Sequence, residues 1–405
     1  MSQKIEELLQ KIARRTERAI STDELRQKLI KAEKNGTQLR IKLGMDPTAP
    51  DVTLGHAVPM KVIRSFQDAG HKAVLIIGDY TARVGDPSGR NATRPVLSGE
   101  QIDANAKTYV SQVGKILLTD PAHLEVRYNG EWLGSMTMVD IIKLASRKSV
   151  AQLLAREDFA KRYEQGVDIR LHELMYPLLQ GWDSVVIRAD VEMGGSDQLF
   201  NNLVGREFQK EDGHEGQVVL VTPLLVGTDG EVKMSKSKGN YIGVTDAPTG
   251  AGGMFGKIMS LPDKLLGSYY QLLTDLPSTD YEPSIAANPR DAKIALAKHI
   301  ISWLHSPADA DAAEAEFKKV IVGGGIPDEM PELKLPAGPQ RVAPLLVQAG
   351  FVTSNSEGIR KIKEGAVKLN GTKIPDEKFL IEVTEATVLQ LGNRKFVRLV
   401  PQGAL

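Results

Sequence analysis

Lys233, Lys236 and Lys238 crowd together with Ser235 and Ser237 in DGEVKMSKSKGN, the stretch from Asp229 to Asn240. No apolar stripe at helical spacing runs through it and only Val232 and Met234 hint at a short strand, so it reads as a loop between Gly230 and Gly239. Ammonium groups on a glycine-hinged loop can close over a polyanion as point charges, with serines and backbone N–H groups adding hydrogen bonds. A charge run is also what a solvated turn looks like, so the loop gains meaning only with a partner site. GMDPTAPDVTLGHAVPM provides one. Gly44 and Gly55 open the backbone to a flat ligand, and Thr48 and His56 bring a hydroxyl and an imidazole to the start of the next helix, which suits a triphosphate. A lone histidine is more often structural; the pairing with a second phosphate-type loop is what singles out His56.

Three further clusters could act with these. GDPSGRNATR is a glycine-rich turn carrying Asp86, Arg90 and Arg94, equally readable as an exposed charged turn. YPLLQGWD spaces Tyr176, Gln180 and Asp183 by four and three, which puts all three on one helical face, commonly a solvent face. GGSDQ holds Gly194, Gly195, Asp197 and Gln198; its plain reading is a tight left-handed turn before a helix.

The elements that must position them follow from periodicity. Residues 1–35 read as an amphipathic helical lead-in, with Ile5, Leu8, Leu9 and Ile12 at helical spacing. QLRIKLG and KAVLIIG are β-rich runs ending in glycine, separated by a helical stretch from His56 to Asp68; together they form a βαβ unit with a parallel sheet. Ser98 and Gln101 form a capping box that opens a helix to Leu118. LEVRYNG, SVVIRADVEMGGSDQ and QVVLVTP add strands, the second running into a glycine turn and a helix. The fold class is α/β: a Rossmann-like, doubly wound parallel sheet over residues 36–225 with a helical insertion at about 136–181. The lysine loop and a helical domain occupy 226–322. GGGIPDEMPELKLPAGP marks a linker at 323–339, and a small α/β domain fills 340–405.

Composition bounds the rest. A chain of 405 residues should hold roughly two or three domains. With 41% hydrophobic and 25% charged residues it is an ordinary globular protein, and no run reaches the roughly 18 to 20 apolar residues of a membrane span. The charged N-terminus is unlike a signal peptide, so a cytoplasmic location is expected. There is no cysteine, which excludes disulfides, thiolate metal sites and thiol nucleophiles, and the seven histidines show no metal-ligand spacing. Net charge is zero, yet residues 341–405 carry ten Lys or Arg against six Asp or Glu, a surplus of +4 that suggests a basic module.

TLGH at Thr53–His56 together with KMSKS at Lys233–Ser237 resembles the two signatures of class I aminoacyl-tRNA synthetases. GMDPTAPDVTLGH, GDPSGR, YPLLQGWD and GGSDQ, in that order and separation, narrow the resemblance to tyrosyl-tRNA synthetases of the bacterial type, over essentially the whole chain. NSEGIRKIKEGAVKLNGTKI in the tail is similar to an S4 RNA-binding domain.

The resemblance implies tyrosine, ATP and tRNA(Tyr) as partners, Mg2+ arriving with ATP, and a homodimer. It puts Lys233 and Lys236 on the leaving pyrophosphate, with His56 and Thr48 in the same catalytic group. The ATP site would comprise Gly44, Asp46, Thr53, Gly55, His56, Arg90, Arg94, Gly194, Asp197, Met234 and Lys236, with Asp197 on the ribose. Tyrosine would meet Asp86, Tyr176 and Gln180 at its ammonium, Asp183 at its phenol hydroxyl, and Gln198. Arg360, Lys361, Lys363 and Lys368 would grip tRNA phosphates, contacts that position without reading sequence. Two positions depart from the usual pattern. Thr53 stands where many members have histidine, and Lys42 where many bacterial members carry a tyrosine touching the phenol.

Three other readings share part of this signal. A nucleotidylyltransferase shares the Gly-x-His chemistry but would lack KMSKS with an S4-like tail. A tryptophanyl-tRNA synthetase would differ in the amino acid that supports exchange. A non-catalytic RNA-binding descendant would show no exchange at all.

Overall fold

The computed structural model describes residues 3–88, 98–250, 252–322, 326, 330–392 and 395–402. Arg90 and Arg94 lie outside the described residues. The chain divides into two compact units, Met1–Thr245 with Gly267–Ser278 and Asp246–Leu266 with Thr279–Leu405.

The first unit is built on a six-stranded sheet of β1 (Arg18–Ile20), β2 (Arg40–Met45), β3 (Lys72–Ile77), β4 (Leu124–Tyr128), β5 (Val191–Gly195) and β6 (Val218–Thr222), ordered β1-β6-β5-β2-β3-β4. All neighbours run parallel except β1, which pairs antiparallel with β6. The inner strands are buried on both faces: Ile41, Lys42, Leu43, Val74, Leu75, Ile76, Val191, Glu192, Met193 and Val218 to Val221 are buried, all apolar but Lys42 and Glu192. That is the pattern of a sheet covered by helices on each side. The helix Leu54–Asp68 buries Ala57, Val58, Ile63 and Phe66. Strand order reverses between β2 and β5, so the crevice at their carboxyl ends is where a doubly wound sheet takes its ligand.

Four local expectations need correction. The stretch 1–35 is not helical throughout, because Arg18–Ile20 adds an edge strand between the helices Gln3–Arg15 and Thr22–Asn35. Ser184–Ile187 closes the helix Leu171–Ile187 rather than opening a strand. Tertiary packing overrides the β propensity of Val185, Val186 and Ile187: Ser184 and Ile187 are buried one turn apart, and Arg188 ends the helix in the left-handed region with φ 49°. The capping-box helix starts as expected but spans only Gly99–Val113, stopping at Gly114. Within the expected linker, Glu332–Leu335 pairs parallel with Lys395–Pro401 and Gly338–Arg341 pairs antiparallel with Leu380–Val383, so its later half is strand.

In the second unit the helices Met254–Met259, Pro289–Leu304 and Pro307–Phe317 pack together, with the Phe255 and Phe317 rings 5.2 Å apart. Beyond residue 330, strands and the helices Val342–Gln348 and Asn355–Lys363 enclose a core of Leu335, Val342, Leu346, Ile362, Val383, Leu389 and Leu399. The helical residues 279–322 fall in the same unit as this tail, whereas the sequence separates them at 323–339.

Candidate functional site

A cavity of about 1220 Å³ opens at the carboxyl ends of β2 and β5. Its lining brings together Gly44, Asp46, Thr48, Thr53, Gly55, His56, Asp86, Tyr176, Gln180, Asp183, Gly194, Asp197, Gln198, Lys233, Met234 and Lys236. The reason is topological: each motif sits on a turn leaving a sheet strand or on a helix packed over the strand ends.

One end of the cavity is walled by the helix Leu171–Ile187. Asp183 is buried and accepts from the Trp132 indole Nε1 at 2.8 Å and from Asn129 Nδ2 at 3.3 Å. Burial pushes its carboxyl up to about 6, against the pull of the nearby Lys42 charge and of those two donors. Two helical turns earlier, the Tyr176 hydroxyl donates to Asp46 Oδ2 at 2.9 Å, and Thr81 donates to Asp46 Oδ1 at 2.8 Å. Asp46 is enclosed at the end of β2, and burial raises its carboxyl to about 7 despite these hydroxyls. A polar chain continues from there: Gln198 Nε2 donates to Asp86 Oδ2 at 2.9 Å, and Asn201 Nδ2 donates to Gln198 Oε1 at 2.9 Å and Gln180 Oε1 at 3.2 Å.

At the other end, Thr53 caps the helix Leu54–Asp68. Its backbone N–H donates to His56 Nδ1 at 3.1 Å, and its hydroxyl lies 2.9 Å from the same nitrogen. With Nδ1 accepting, the neutral ring carries its proton on Nε2. The lysine loop starts as a hairpin, with Met234 N donating to Leu225 O and Gly227 N to Val232 O around a turn where Gly230 has φ 78°. Asn240 ties it shut, donating to Asp229 Oδ2 at 2.7 Å and accepting from Ser235 N at 2.8 Å. Lys236–Lys238 form a single 3₁₀ turn ended by Gly239. Lys233 Nζ sits 2.6 Å from Asp197 Oδ2, while Lys236 Nζ donates to Ala49 O at 3.2 Å and Tyr109 Oη at 3.3 Å.

The glycines do different things from one another. A Cβ on Gly44 would meet no atom within 4 Å, which leaves that strand end open to a ligand. A Cβ on Gly194 would come within 2.9 Å of Gln198 Cβ, and one on Gly195 within 2.7 Å of Leu224 Cδ2. Gly194 is demanded by its close protein neighbour, whereas at Gly195 the crowding comes from the ends of movable side chains. A left-handed turn is not the cause, since Gly195 has φ −72°.

A family model described as tRNA synthetases class I (W and Y) matches residues 34–321, and one described as the tyrosine–tRNA ligase SYY-like C-terminal domain matches residues 323–397. The tyrosine–tRNA ligase 2 of Vibrio parahaemolyticus is 52% identical over 400 residues, 98% of each chain. The chain belongs to the class I tRNA synthetases, on their tyrosine branch. The tyrosine–tRNA ligase of Bordetella pertussis is similar at 49% identity over 395 residues, covering 96% of this chain and 95% of that one. Among solved structures, the tyrosyl-tRNA synthetase of Archaeoglobus fulgidus complexed with L-tyrosine is 25% identical, with a TM-score of 0.60 over 76% of this chain and 99% of that chain.

Sequence reading missed several members of this synthetase site. Thr81, Asn129, Trp132 and Tyr109 hold Asp46, Asp183 and Lys236, and none sits in a recognisable motif. Lys42 does not line the cavity at all; it is wholly buried and ion-paired to Glu192 at 2.8 Å. A charge flanked by apolar residues inside each of two central strands, Lys42 in RIKLGM and Glu192 in VEMGG, was the available signal. In the tail, Arg360, Lys361 and Lys363 lie in the last turn of the helix Asn355–Lys363, and Lys368 on the strand Val367–Leu369. Acidic neighbours partly answer them: Lys361 Nζ is 2.7 Å from Glu364 and Lys363 Nζ 3.4 Å from Glu377.

Proposed function

We propose that this chain is a tyrosine–tRNA ligase. It joins tyrosine to ATP, giving tyrosyl-adenylate and pyrophosphate, and then transfers tyrosine to the 3′-terminal ribose of tRNA(Tyr). The observation that carries this reading is that the Thr53–His56 turn and the Lys233–Ser237 loop, far apart in sequence, line the same cavity as the buried carboxylate Asp183.

In this reading the tyrosine carboxylate attacks the α-phosphorus of ATP as the bond to the bridging oxygen of the leaving pyrophosphate breaks. No protein nucleophile is needed, so catalysis is positioning and charge stabilisation. Lys236 and Lys233 leave their resting partners to meet the departing diphosphate, and His56 offers its Nε2–H to the same oxygens. Gly44, Gly194 and Asp197 border the nucleotide, with Met234 packed beside Gly55. Asp86, Gln198, Tyr176 and Gln180 form the polar wall for the amino acid's ammonium group, and Asp183 accepts the phenol hydroxyl. Phenylalanine would leave the acceptor position that this buried carboxylate offers to the phenol unfilled, the basis of selectivity for which this family is the established example. Mg2+ is expected as the counter-ion of ATP, held mainly by phosphate and water. Among the described residues no group of three or more His, Asp or Glu gathers to hold a metal.

The tail's basic side chains would take tRNA backbone phosphates. Homodimer formation is supported by the segment between β4 and β5, where Met138 is 74% and Leu171 81% exposed beside the exposed Val139, Ile142 and Val150. No helix among the described residues is long and apolar enough to cross a membrane, and the proposed setting is the cytoplasm, where tRNA and ATP are at hand. The test is ATP–pyrophosphate exchange with each of the twenty amino acids. Exchange with tyrosine alone is expected; exchange driven by tryptophan, or none at all, would overturn the proposal.

A further inference from the structure

Beneath the amino-acid end of the cavity lies a charge pair that no motif accounts for. Lys42 on β2 and Glu192 on β5 are 0% and 1% exposed, and their charged atoms are 2.8 Å apart. Lys42 Nζ also donates to the Gln180 carbonyl at 2.9 Å and to Ser184 Oγ at 2.7 Å, which satisfies all three of its hydrogens. Ser184 in turn donates to Glu192 Oε2 at 3.1 Å, and Gln217 Nε2 donates to the same oxygen. A buried ion pair is rarely more stabilising than apolar residues of equal volume, so stability alone does not explain one in the two central strands. Gln180 and Ser184 bracket Asp183 on its helix, which makes Lys42 a clamp on the turn that carries that carboxylate.

We propose that Lys42 and Glu192 are the positioning pair of the amino-acid site: Lys42 fixes the helical turn bearing Asp183 and favours its ionised form, and Glu192 counterbalances that charge. The inference rests on the reading of Asp183 as the acceptor of the phenol. Asp183 is surrounded by Lys42 from β2 and Asp46 just after it, Glu192 from β5, Trp132 and Asn129 from the segment after β4, and Tyr176 on its own helix. Burial acts to keep Asp183 protonated and Glu192 acts with it, whereas Lys42 acts against both. Removing either partner of the pair should therefore move Asp183 in opposite directions, which a purely structural role would not do.

Trp132 donates directly to Asp183, so its fluorescence in the ligand-free protein follows the ionisation of that carboxyl, with Trp132→Phe as the blank. Lys42→Met is expected to move the fluorescence midpoint and the acid limb of kcat/KM for tyrosine up by about one pH unit, and Glu192→Gln to move both down. At the wild-type midpoint the Lys42→Met loss should fall on KM, with kcat little changed. Shifts in the same direction, or none, would overturn the proposal. Lys42→Met leaves a buried carboxylate unpaired; if it does not fold, Glu192→Gln carries the test alone, a downward shift supporting the proposal and an unmoved midpoint overturning it. Asp183→Asn separates this from the underlying reading. If that variant abolishes the fluorescence transition yet leaves the preference for tyrosine over phenylalanine intact, the phenol assignment fails, while opposed shifts would still establish the charge-setting role.

Discussion

At the amino-acid end of the cavity, Asp183 is buried, bonded to Trp132 and Asn129, and carried on a helical turn that Lys42 holds from below. At the phosphate end, Lys233 and Lys236 rest on Asp197, a carbonyl and a tyrosine hydroxyl, on a loop whose hairpin turns at Gly230 and whose 3₁₀ turn ends at Gly239. The contrast separates two demands on one site. Recognising a hydroxyl requires an acceptor that cannot shift to suit a wrong ligand, because the penalty for an unpaired buried group is what discriminates. Stabilising a departing diphosphate requires cations that engage only as charge develops, so their resting contacts have to be exchangeable.

The contrast can be broken by variants that touch one end only. The largest effect is expected from Lys236→Ala, which should slow tyrosyl-adenylate formation by about 10²- to 10³-fold in rapid-quench assays while leaving the tyrosine dissociation constant unchanged. Next comes Asp183→Asn. Its amide nitrogen would face a donor, and the ratio of kcat/KM for tyrosine to that for phenylalanine should fall about 10- to 100-fold. A smaller difference lies within the phosphate end. The Thr53 hydroxyl is engaged with His56 Nδ1, so Thr53→Ala should cost less adenylation rate than His56→Ala, and equal losses would mean that the hydroxyl has taken over the imidazole's task.

The smallest effect is on stability. Asp46 holds its proton longer in the folded chain than its ordinary 3.8 would allow, with a folded value of about 7. Its contribution is therefore full below about pH 4 and is lost as pH rises towards 7. Asp46→Asn lacks that dependence, so its melting temperature relative to the wild type should rise by about 2–4 °C between pH 5 and pH 8.

The two ends were not equally legible in the sequence. Motif residues such as His56, Gln180, Asp183 and Lys233 could be found because glycine turns and helical spacing set their positions locally, and the alternation of strands and helices fixed where the turns gather. The Lys42–Glu192 pair could not be found that way, since a strand's period of two says which residues share a face but not which distant strand lies beside it. The edge strand Arg18–Ile20 is too short to show a pattern. The strand Glu332–Leu335 follows a glycine- and proline-rich stretch whose composition reads as a linker. The end of the helix Leu171–Ile187 was masked by the β-branched run Val185 to Ile187, of which only Ile187 is buried.

The most direct measurement combines the two largest perturbations. Adenylate formation and equilibrium tyrosine binding would be followed for Lys236→Ala, Asp183→Asn and the double variant. If recognition and leaving-group stabilisation are separate tasks of one cavity, the two free-energy losses add to within about 0.5 kcal/mol, and only the Asp183 substitution weakens tyrosine binding. A double variant no worse than either single one, or a Lys236→Ala protein that binds tyrosine poorly, would contradict that division.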